Sequence, residues 1–266
     1  MMHAGIVGFL PEDGSDVWER FKACAKIGYR AMDMDLTYAA PQGDLKENYK
    51  RVMDIGIKPI MSGVGKDVLE NFSEKIRTIK IQNIDRVCMY SSSILDSYNF
   101  GDVKPTAYDD MMRDFEFMNQ AIAMFAEEGI KFCYHNHFQE FVMRHEGISA
   151  FDRMLMEVDP RLCFNLDVGW VMMSGQDPVD VLKRLEGRIG GIHMKDFYSL
   201  DRPSKWESYS FTSLGSGKLN VDAVLQEMDR QGVEYACVEQ DRLRNLNALD
   251  TLKVSYLRMK ESGYVI

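Results

Sequence analysis

Residues 162–196 read LCFNLDVGWVMMSGQDPVDVLKRLEGRIGGIHMKD, and this stretch decides the fold. It opens with a β-prone apolar run, Leu162–Asp167, and closes with a second one, Gly190–Met194. Between them lies a helical segment, Pro178–Leu185, with Asp177 as a candidate N-cap and proline at the first helical position. Strand, helix and strand in this order predict two parallel strands joined by a helical crossover.

The same alternation occurs eight times along the 266 residues. The predicted strands are Gly5–Leu10, Arg30–Leu36, Ile57–Ser62, Asp85–Tyr90, Ile130–His135, Leu162–Asp167, Gly190–Met194 and Tyr235–Glu239. The predicted helices are Asp16–Ile27, Leu45–Ile55, Lys66–Lys80, Asp109–Glu128, Ile148–Val158, Pro178–Leu185, Val221–Gln231 and Leu246–Glu261. Eight such units predict an α/β fold, a single (β/α)₈ TIM barrel domain over residues 1–266. An open doubly wound sheet is the alternative, but Gly5–Leu10 lacks the GxGxxG turn that it would carry.

Composition excludes several classes of function. A net charge of −9 disfavours a nucleic-acid partner. The start of the chain has no signal-peptide pattern, and no apolar run approaches the ~20 residues of a membrane span. The five scattered cysteines include no CxxC and are interpreted as reduced core thiols. We therefore expect a cytoplasmic protein that acts on a small molecule, with no membrane partner; the sequence does not indicate its oligomeric state.

Polar side chains of the types that bind metals collect where four consecutive predicted strands end. The segments are Tyr134–Phe141, Asn165–Trp170, Ile192–Asp196 and Val238–Asp241. A charge that ends an apolar strand is costly to bury without a partner. Because these strand ends meet at one face of a barrel, the pattern predicts a shared site. A divalent cation suits it, since the cation neutralises carboxylates and accepts imidazole.

Three residues are the principal candidate ligands, namely Asp167, His193 and Glu239. Each has a simpler alternative. Asp167 is a possible helix cap, but the next predicted helix starts ten residues later. His193 is alternatively a core histidine, and Glu239 a salt-bridge partner at the rim.

The fifth strand supplies the candidate fourth ligand, Glu140, with His135 or His137 as alternatives. A third carboxylate would tighten the binding of the ion at the expense of its Lewis acidity. In this assignment His137 faces the substrate and, with Glu140, is a candidate acid or base.

Two further residues are candidates for contact with the substrate. Lys195 faces the same side of its strand as the histidine two positions earlier, because side chains alternate along a strand. Beside a metal it would bind a substrate hydroxyl or stabilise an enolate oxygen, and a rim ion pair is its alternative role. Trp170 is either a core residue or an aromatic wall against the C–H face of a sugar.

The glycine-rich run Leu214–Lys218 does not fit a phosphate loop. A Walker A motif with this lysine needs glycine at 212 and serine or threonine at 219, where this chain has Thr212 and Leu219. We interpret the run as a glycine turn before a helix.

The sequence resembles the xylose isomerase-like sugar phosphate isomerase/epimerase family of TIM barrels. The segments that carry the resemblance are YHNHFQEF (134–141), NLDVGWVMMSGQDPVDVL (165–182), GRIGGIHMKD (187–196), LGSGKLNV (214–221) and VEYACVEQD (233–241). The resemblance covers the C-terminal half closely and the N-terminal half only in its strand–helix rhythm. It implies a metal held by a strand-five residue with Asp167, His193 and Glu239. It also implies that Lys195 and the strand-five histidines, His135 among them, lie near the substrate.

One position departs from the epimerases of this family. Ketose 3-epimerases end strand five with a glutamate that pairs with the strand-eight glutamate across the substrate, and this chain has His135 there. Glu140 is the candidate substitute. Dehydratases of cyclic polyol ketones and lyases of oxidised sugars share the histidine-rich fifth strand.

The expected function is a metal-dependent isomerase or epimerase acting on a small sugar through an enediolate. The alternative is a dehydratase or lyase of a keto-polyol or oxidised sugar; a nuclease of the related barrel and a non-enzymatic sugar-binding barrel are less favoured. The expected catalytic residues are Glu239, Glu140, His137 and Lys195. Mn²⁺ or Mg²⁺ is the favoured ion, with Co²⁺ or Zn²⁺ possible.

Overall fold

The computed structural model describes residues 1–11, 15–96, 107–203 and 205–266. Within these ranges a parallel sheet is formed by β1 (His3–Val7), β2 (Ala31–Met32), β3 (Lys58–Pro59), β4 (Ser62–Gly63), β5 (Arg86–Met89), β6 (Lys131–His135), β7 (Cys163–Asp167), β8 (Ile189–Met194) and β9 (Tyr235–Glu239). Their order in space is β3-β2-β1-β9-β8-β7-β6-β5-β4. Because only Ile60 and Met61 separate β3 from β4, the sheet closes on itself as an eight-stranded barrel.

Helices connect the strands and cover the outside of the barrel. They are α1 (Val17–Ile27), α2 (Leu36–Ala39), α3 (Leu45–Ile55), α4 (Phe72–Ile81), α5 (Ser93–Asp96), α6 (Tyr108–Glu127), α7 (Gln139–Val142), α8 (Ala150–Glu157), α9 (Val168–Met173), α10 (Pro178–Arg184), α11 (Val221–Arg230) and α12 (Ala248–Glu261). Two 3₁₀ turns, Lys66–Leu69 and Trp206–Ser208, complete the helical elements of the described chain. Asp177 caps α10, with Pro178 at its start, as the sequence indicates.

Two cores lie on opposite faces of the strands. In β6, Phe132 and Tyr134 belong to the large core between sheet and helices, whereas Cys133 belongs to a smaller cluster with Met61 and Cys88. This separation follows from the alternation of side chains along a strand. His135 therefore lies on the same face as Cys133, towards the barrel axis.

The predicted strands are all present, and the largest difference is at the second. The prediction extended it from Arg30 to Leu36, but β2 covers two residues. Asp35 explains the early end, because its side chain accepts hydrogen bonds from Thr37 N and Tyr38 N and caps α2. Most of the irregular stretch after the fourth predicted strand, residues 97–106, lies outside the described residues.

The glycine-rich run after β8 surrounds an internal carboxylate. Asp196 is buried, and its two oxygens accept hydrogen bonds of 2.8–3.0 Å from the backbone N–H groups of Phe197, Gly215, Gly217, Lys218 and Leu219. A Cβ at Gly217 would overlap this carboxylate, so only glycine fits. The Asp196 side chain occupies the concave backbone surface that would otherwise receive an anion.

We expect Asp196→Asn to lower the free energy of unfolding by roughly 2–4 kcal/mol, because the amide offers one acceptor oxygen and directs its NH₂ group at backbone donors. Urea unfolding measures the change. Asp222→Asn is the matched control: that carboxylate is 60% exposed and pairs with Arg258, so its loss should cost less than about 0.5 kcal/mol. Equal losses for both variants would contradict a structural role for Asp196.

Candidate metal centre

Four side chains with metal-binding atoms converge at the carboxyl ends of neighbouring barrel strands. They are His135 on β6, Asp167 on β7, His193 on β8 and Glu239 on β9, and one candidate ligand atom from each lies within 4.8 Å of the others. Parallel strands end at the same rim of a barrel, so the fold brings these four strand ends together.

The two oxygens of Asp167 have different partners. Oδ1 accepts a hydrogen bond of 2.9 Å from Trp170 N and caps α9, while Oδ2 lies 3.1 Å from Nζ of Lys195. The prediction that the next helix begins ten residues further on is wrong, since α9 begins at Val168. The cap fixes the orientation of the carboxylate through Oδ1 and leaves Oδ2 for the site.

The two histidines present different ring nitrogens to the site. His135 Nδ1 lies 3.2 Å from the carbonyl oxygen of Asn165, which only accepts, so Nδ1 carries the proton and Nε2 has the lone pair. His193 Nδ1 lies 2.8 Å from Glu239 Oε2, and its Nε2 lies 2.8 Å from Asp33 Oδ2. His193 is therefore held between two carboxylates.

These surroundings set the charge of each imidazole. Burial alone would lower the pKa of His193, but the charges of Glu239 and Asp33 outweigh it and raise the pKa to about 10. Burial lowers the pKa of His135 well below its usual value, with a further contribution from the positive charge of His193. Burial and the charge of the nearby lysine lower the pKa of His137 to about 3, so His137 is neutral.

Lys195 is a buried cation beside the group. Its Nζ lies 2.7 Å from Asp241 Oδ2, 3.0 Å from Glu239 Oε2 and 3.1 Å from Asp167 Oδ2. It also lies 4.9 Å from the centre of the Trp170 ring, within cation–π distance. Burial disfavours the charged amine, but the three carboxylates outweigh burial and hold the pKa of Lys195 well above its usual range.

The charges and donor atoms of the site fit a divalent cation. Four carboxylates, those of Asp33, Asp167, Glu239 and Asp241, make ion pairs with only one lysine and one histidine in this group. A buried negative excess is costly, and a cation offsets it. Two imidazole nitrogens and two carboxylates are also a ligand set typical of first-row divalent metals.

The structure does not bring Glu140, the predicted fourth ligand, into this group. Its side chain is buried, Oε1 accepts a hydrogen bond of 2.6 Å from the Tyr134 hydroxyl, and Oε2 accepts one of 2.8 Å from His137 N. Glu140 lies in α7, beyond the end of β6, and its role in the structure is to hold the turn between strand and helix. His135, the alternative from the same strand, takes the fourth position.

Trp170 lies in an aromatic cluster beneath Lys195. It is fully buried, with its ring centre 5.0 Å from that of Phe197, 5.8 Å from that of Phe138 and 5.8 Å from that of His137. Among the described residues that line the cleft, Trp170 is absent. Its ring therefore contacts the site through the Lys195 ammonium and the His137 imidazole.

Sequence reasoning missed four residues of the site, namely Asp33, Tyr90, Asn165 and Asp241. Asp33 follows β2 and contacts the site through His193. Tyr90 and Asn165 both donate hydrogen bonds to Asp33. The signal that identified the candidate ligands, a charge at the end of an apolar strand, is also present at Asp33, because β2 ends at Met32.

A cleft of about 1190 Å³ opens beside the group. Phe9, Glu239, Asp241 and Arg244 are among its lining residues. Phe9 has a φ of 55°, a left-handed conformation that costs a non-glycine residue about 1–3 kcal/mol and is often found at functional sites. The strained Phe9 backbone places an aromatic residue at the wall of the cleft, just after β1, which pairs with the strand that carries Glu239.

Residues 21–256 match the model of a protein family described as the xylose isomerase-like TIM barrel. The chain belongs to this family. The match confirms both the resemblance and the (β/α)₈ fold inferred from the sequence. The structurally similar proteins include sugar phosphate isomerase/epimerases.

Individual members differ in their named activities. The chain is 28% identical over 139 residues to an inosose dehydratase of Clostridium perfringens; the match covers 48% of this chain and 46% of the relative, so it spans about half the length of either. A sugar phosphate isomerase/epimerase from Parabacteroides distasonis has a similar structure, with a TM-score of 0.78, 20% identity and complete coverage of both chains. The IOLI protein with a binding zinc atom has a TM-score of 0.74 at 16% identity, covering 98% of each chain.

None of the helices in the described part of the chain is both long enough and apolar enough to cross a bilayer.

We expect the purified protein to carry about one divalent ion per chain, as measured by elemental analysis. Asp167→Asn and His193→Ala should lose it. His135→Ala should weaken binding by more than the ~10–100-fold that removal of an outer contact costs, since it removes a ligand.

Glu140→Gln is the matched control for the fifth strand. Its amide keeps the size of the side chain, and Glu140 lies outside the group, so metal affinity measured by isothermal titration calorimetry should change little. A larger loss of metal affinity in Glu140→Gln than in His135→Ala would indicate that Glu140, and not His135, is the fourth ligand.

Proposed function

We propose that the protein is a metal-dependent lyase, a dehydratase that removes water from a small polyol ketone or a related keto-sugar. One observation carries this proposal. The end of strand five contributes a histidine, His135, to the group, and the Glu140 carboxylate is hydrogen-bonded outside it. Glu239 is then the carboxylate of the group that a substrate can reach. Its side chain is 17% exposed and lines the cleft, whereas Asp167 and His193 are at most 1% exposed.

The proposed ligands of the metal are His135, Asp167, His193 and Glu239. When bound there, a divalent cation would polarise a substrate carbonyl and acidify the neighbouring C–H bond. Two imidazoles replace the single one expected from the sequence, and nitrogen ligands favour Mn²⁺, Co²⁺ or Zn²⁺ over Mg²⁺. The zinc atom of the structurally similar IOLI protein is consistent with this choice.

Glu239 is the proposed acid and base. Its pKa is held well below the usual value, because the charges of Lys195 and His193 outweigh the effect of burial, so the group is a carboxylate ready to accept a proton. It takes the proton from the carbon beside the carbonyl and gives the same proton to the hydroxyl that leaves from the next carbon. Water departs, a carbon–carbon double bond forms, and the carboxylate is regenerated.

Lys195 supports this step from a fixed position. Its ammonium is held by Asp167, Glu239 and Asp241 and remains charged, so it donates a hydrogen bond to oxygen atoms that gain negative charge. Because its partners fix it before substrate arrives, little reorganisation is needed during the reaction.

An isomerase or epimerase is the second candidate, and one observation favours it. His137 Nδ1 is buried and has no hydrogen-bond partner in the described part of the chain. A ring nitrogen of this kind is available to return a proton to a second face or a second carbon. The removal of the first proton would be the same in both reactions.

We expect an inosose, or another polyol ketone, to lose water when incubated with the metal-loaded protein. The unsaturated product is detected by its ultraviolet absorbance and by mass. In D₂O the dehydratase should leave little deuterium in unreacted substrate, whereas an epimerase would return substrate or epimer labelled at the carbon beside the carbonyl. Recovery of labelled epimer without loss of water would assign the second function.

Glu239→Gln should abolish turnover, because an amide does not accept the proton. Glu140→Gln is the control that should retain activity, since Glu140 serves as neither ligand nor base in this proposal. If Glu239→Gln retains its metal and full turnover, Glu239 is not the base.

A further inference from the structure

We propose that Asp33 is a positioning residue that holds His193 with its proton on Nε2 and so presents Nδ1 to the metal. This inference rests on the proposed metal centre and deepens it. Asp33 acts through His193, and it is not among the four residues whose ligand atoms converge.

The first support is the position of Asp33 relative to the imidazole. Asp33 Oδ2 lies 2.8 Å from Nε2 of His193, and Glu239 Oε2 lies 2.8 Å from Nδ1 on the opposite edge of the ring. Glu239 is one of the three other residues whose ligand atoms converge with His193, and Asp33 is not. A cation held between Glu239 and His193 would therefore meet Nδ1, and the carboxylate of Asp33 would remain at Nε2 on the opposite edge of the ring.

The second support is that the Asp33 carboxylate is itself fixed. Its side chain is fully buried. The Tyr90 hydroxyl donates a hydrogen bond to Oδ1, and Asn165 Nδ2 donates one of 2.9 Å to Oδ2. The Tyr90 ring also stacks beside the His193 ring, with their centres 6.2 Å apart and an interplanar angle of 21°. The carboxylate and the imidazole that it orients are therefore held by the same neighbours.

The third support comes from the placement of these residues in the fold. Asp33 follows β2, whereas the four candidate ligands come from β6 to β9. Asp33 N donates a hydrogen bond of 2.8 Å to the carbonyl oxygen of Ile6 on β1, so barrel backbone holds the residue at its position. Burial of the Asp33 carboxylate is costly, because no lysine or arginine of the described residues pairs with it. An imidazole N–H that it orients for metal binding offsets this cost.

A carboxylate on the second nitrogen of a ligating histidine fixes its tautomer and raises its basicity, and removal of such a partner typically lowers metal affinity by about 10–100-fold. Asparagine at position 33 has nearly the same shape as aspartate but favours the opposite tautomer of His193. Its NH₂ group can donate to Nε2, which moves the ring proton to Nδ1, the atom that the metal needs.

The test compares Asp33→Asn with Asp35→Asn in zinc titrations of metal-free protein by calorimetry. Asp35 is a second buried aspartate two residues away, bonded to Ser62 and Lys75 and not to the histidine, so its change should leave zinc affinity within about threefold of wild type. Asp33→Asn should bind zinc about 10–100-fold more weakly while circular dichroism shows that it remains folded. Wild-type zinc affinity in Asp33→Asn, or an equal loss in both variants, would overturn the proposal.

A measurement on the unmutated protein covers the case in which Asp33→Asn does not fold. In zinc-loaded protein labelled with ¹⁵N-histidine, long-range ¹H–¹⁵N spectra distinguish protonated from metal-bound ring nitrogens. A His193 signal with the proton on Nε2 and zinc on Nδ1 supports the proposal, and the reverse assignment overturns it. If the proposed metal centre itself is absent, the result differs. The wild type would then show no zinc binding that Asp167→Asn abolishes.

Discussion

Repulsion among carboxylates that gather at one end of the barrel is the constraint on which the rest of the site depends. Asp33, Asp167, Glu239 and Asp241 each lie within ion-pair distance of Lys195, of His193 or, for Glu239, of both. Removing like charges from water is expensive, and every other feature of the site reduces that cost. Lys195 contacts Asp167, Glu239 and Asp241, and His193 lies between Asp33 and Glu239.

The barrel makes such a concentration of charge possible because its strands are rigid and covered on their outer face. Large apolar side chains such as Phe132 and Phe164 fill the space between strands and helices, while a smaller cluster that includes Met61, Cys88 and Cys133 packs on the inner face of the strands. At Gly5 the axis is so crowded that a Cβ would lie 2.5 Å from Cys237 Sγ. The polar side chains at the strand ends therefore lie next to a closely packed barrel interior, which holds their ligand atoms within a few ångströms of one another.

The sequence predicts the fold well and the site in part, for different physical reasons. Strands and helices are encoded by local periodicity, so all eight strands were found from the pattern of apolar residues. Asp167, His193 and Glu239 were singled out because charges at the ends of apolar strands are rare, and the structure brings all three together. Their role as ligands stays a prediction.

The parts that could not be predicted depend on the direction of side chains rather than on their order. Glu140 and His135 lie close in sequence, but only His135 projects from a strand towards the barrel axis, while Glu140 turns back to bind Tyr134 and His137 N. The helix that Asp167 caps was missed because Val168–Met173 is almost wholly apolar and lacks an amphipathic pattern. Asp33 was missed because the second strand was predicted to continue to Leu36, which placed this residue inside a strand, whereas β2 ends at Met32.

The most direct test of the central claim, that one divalent cation balances the charges at this rim, is anomalous X-ray diffraction at the absorption edge of zinc or manganese. The account predicts one strong anomalous peak per chain, within about 2.0–2.3 Å of ligand atoms from His135, Asp167, His193 and Glu239, with Asp33 on the opposite nitrogen of His193. An ion bound elsewhere, or no ion at this rim in crystals grown with excess metal, would contradict it.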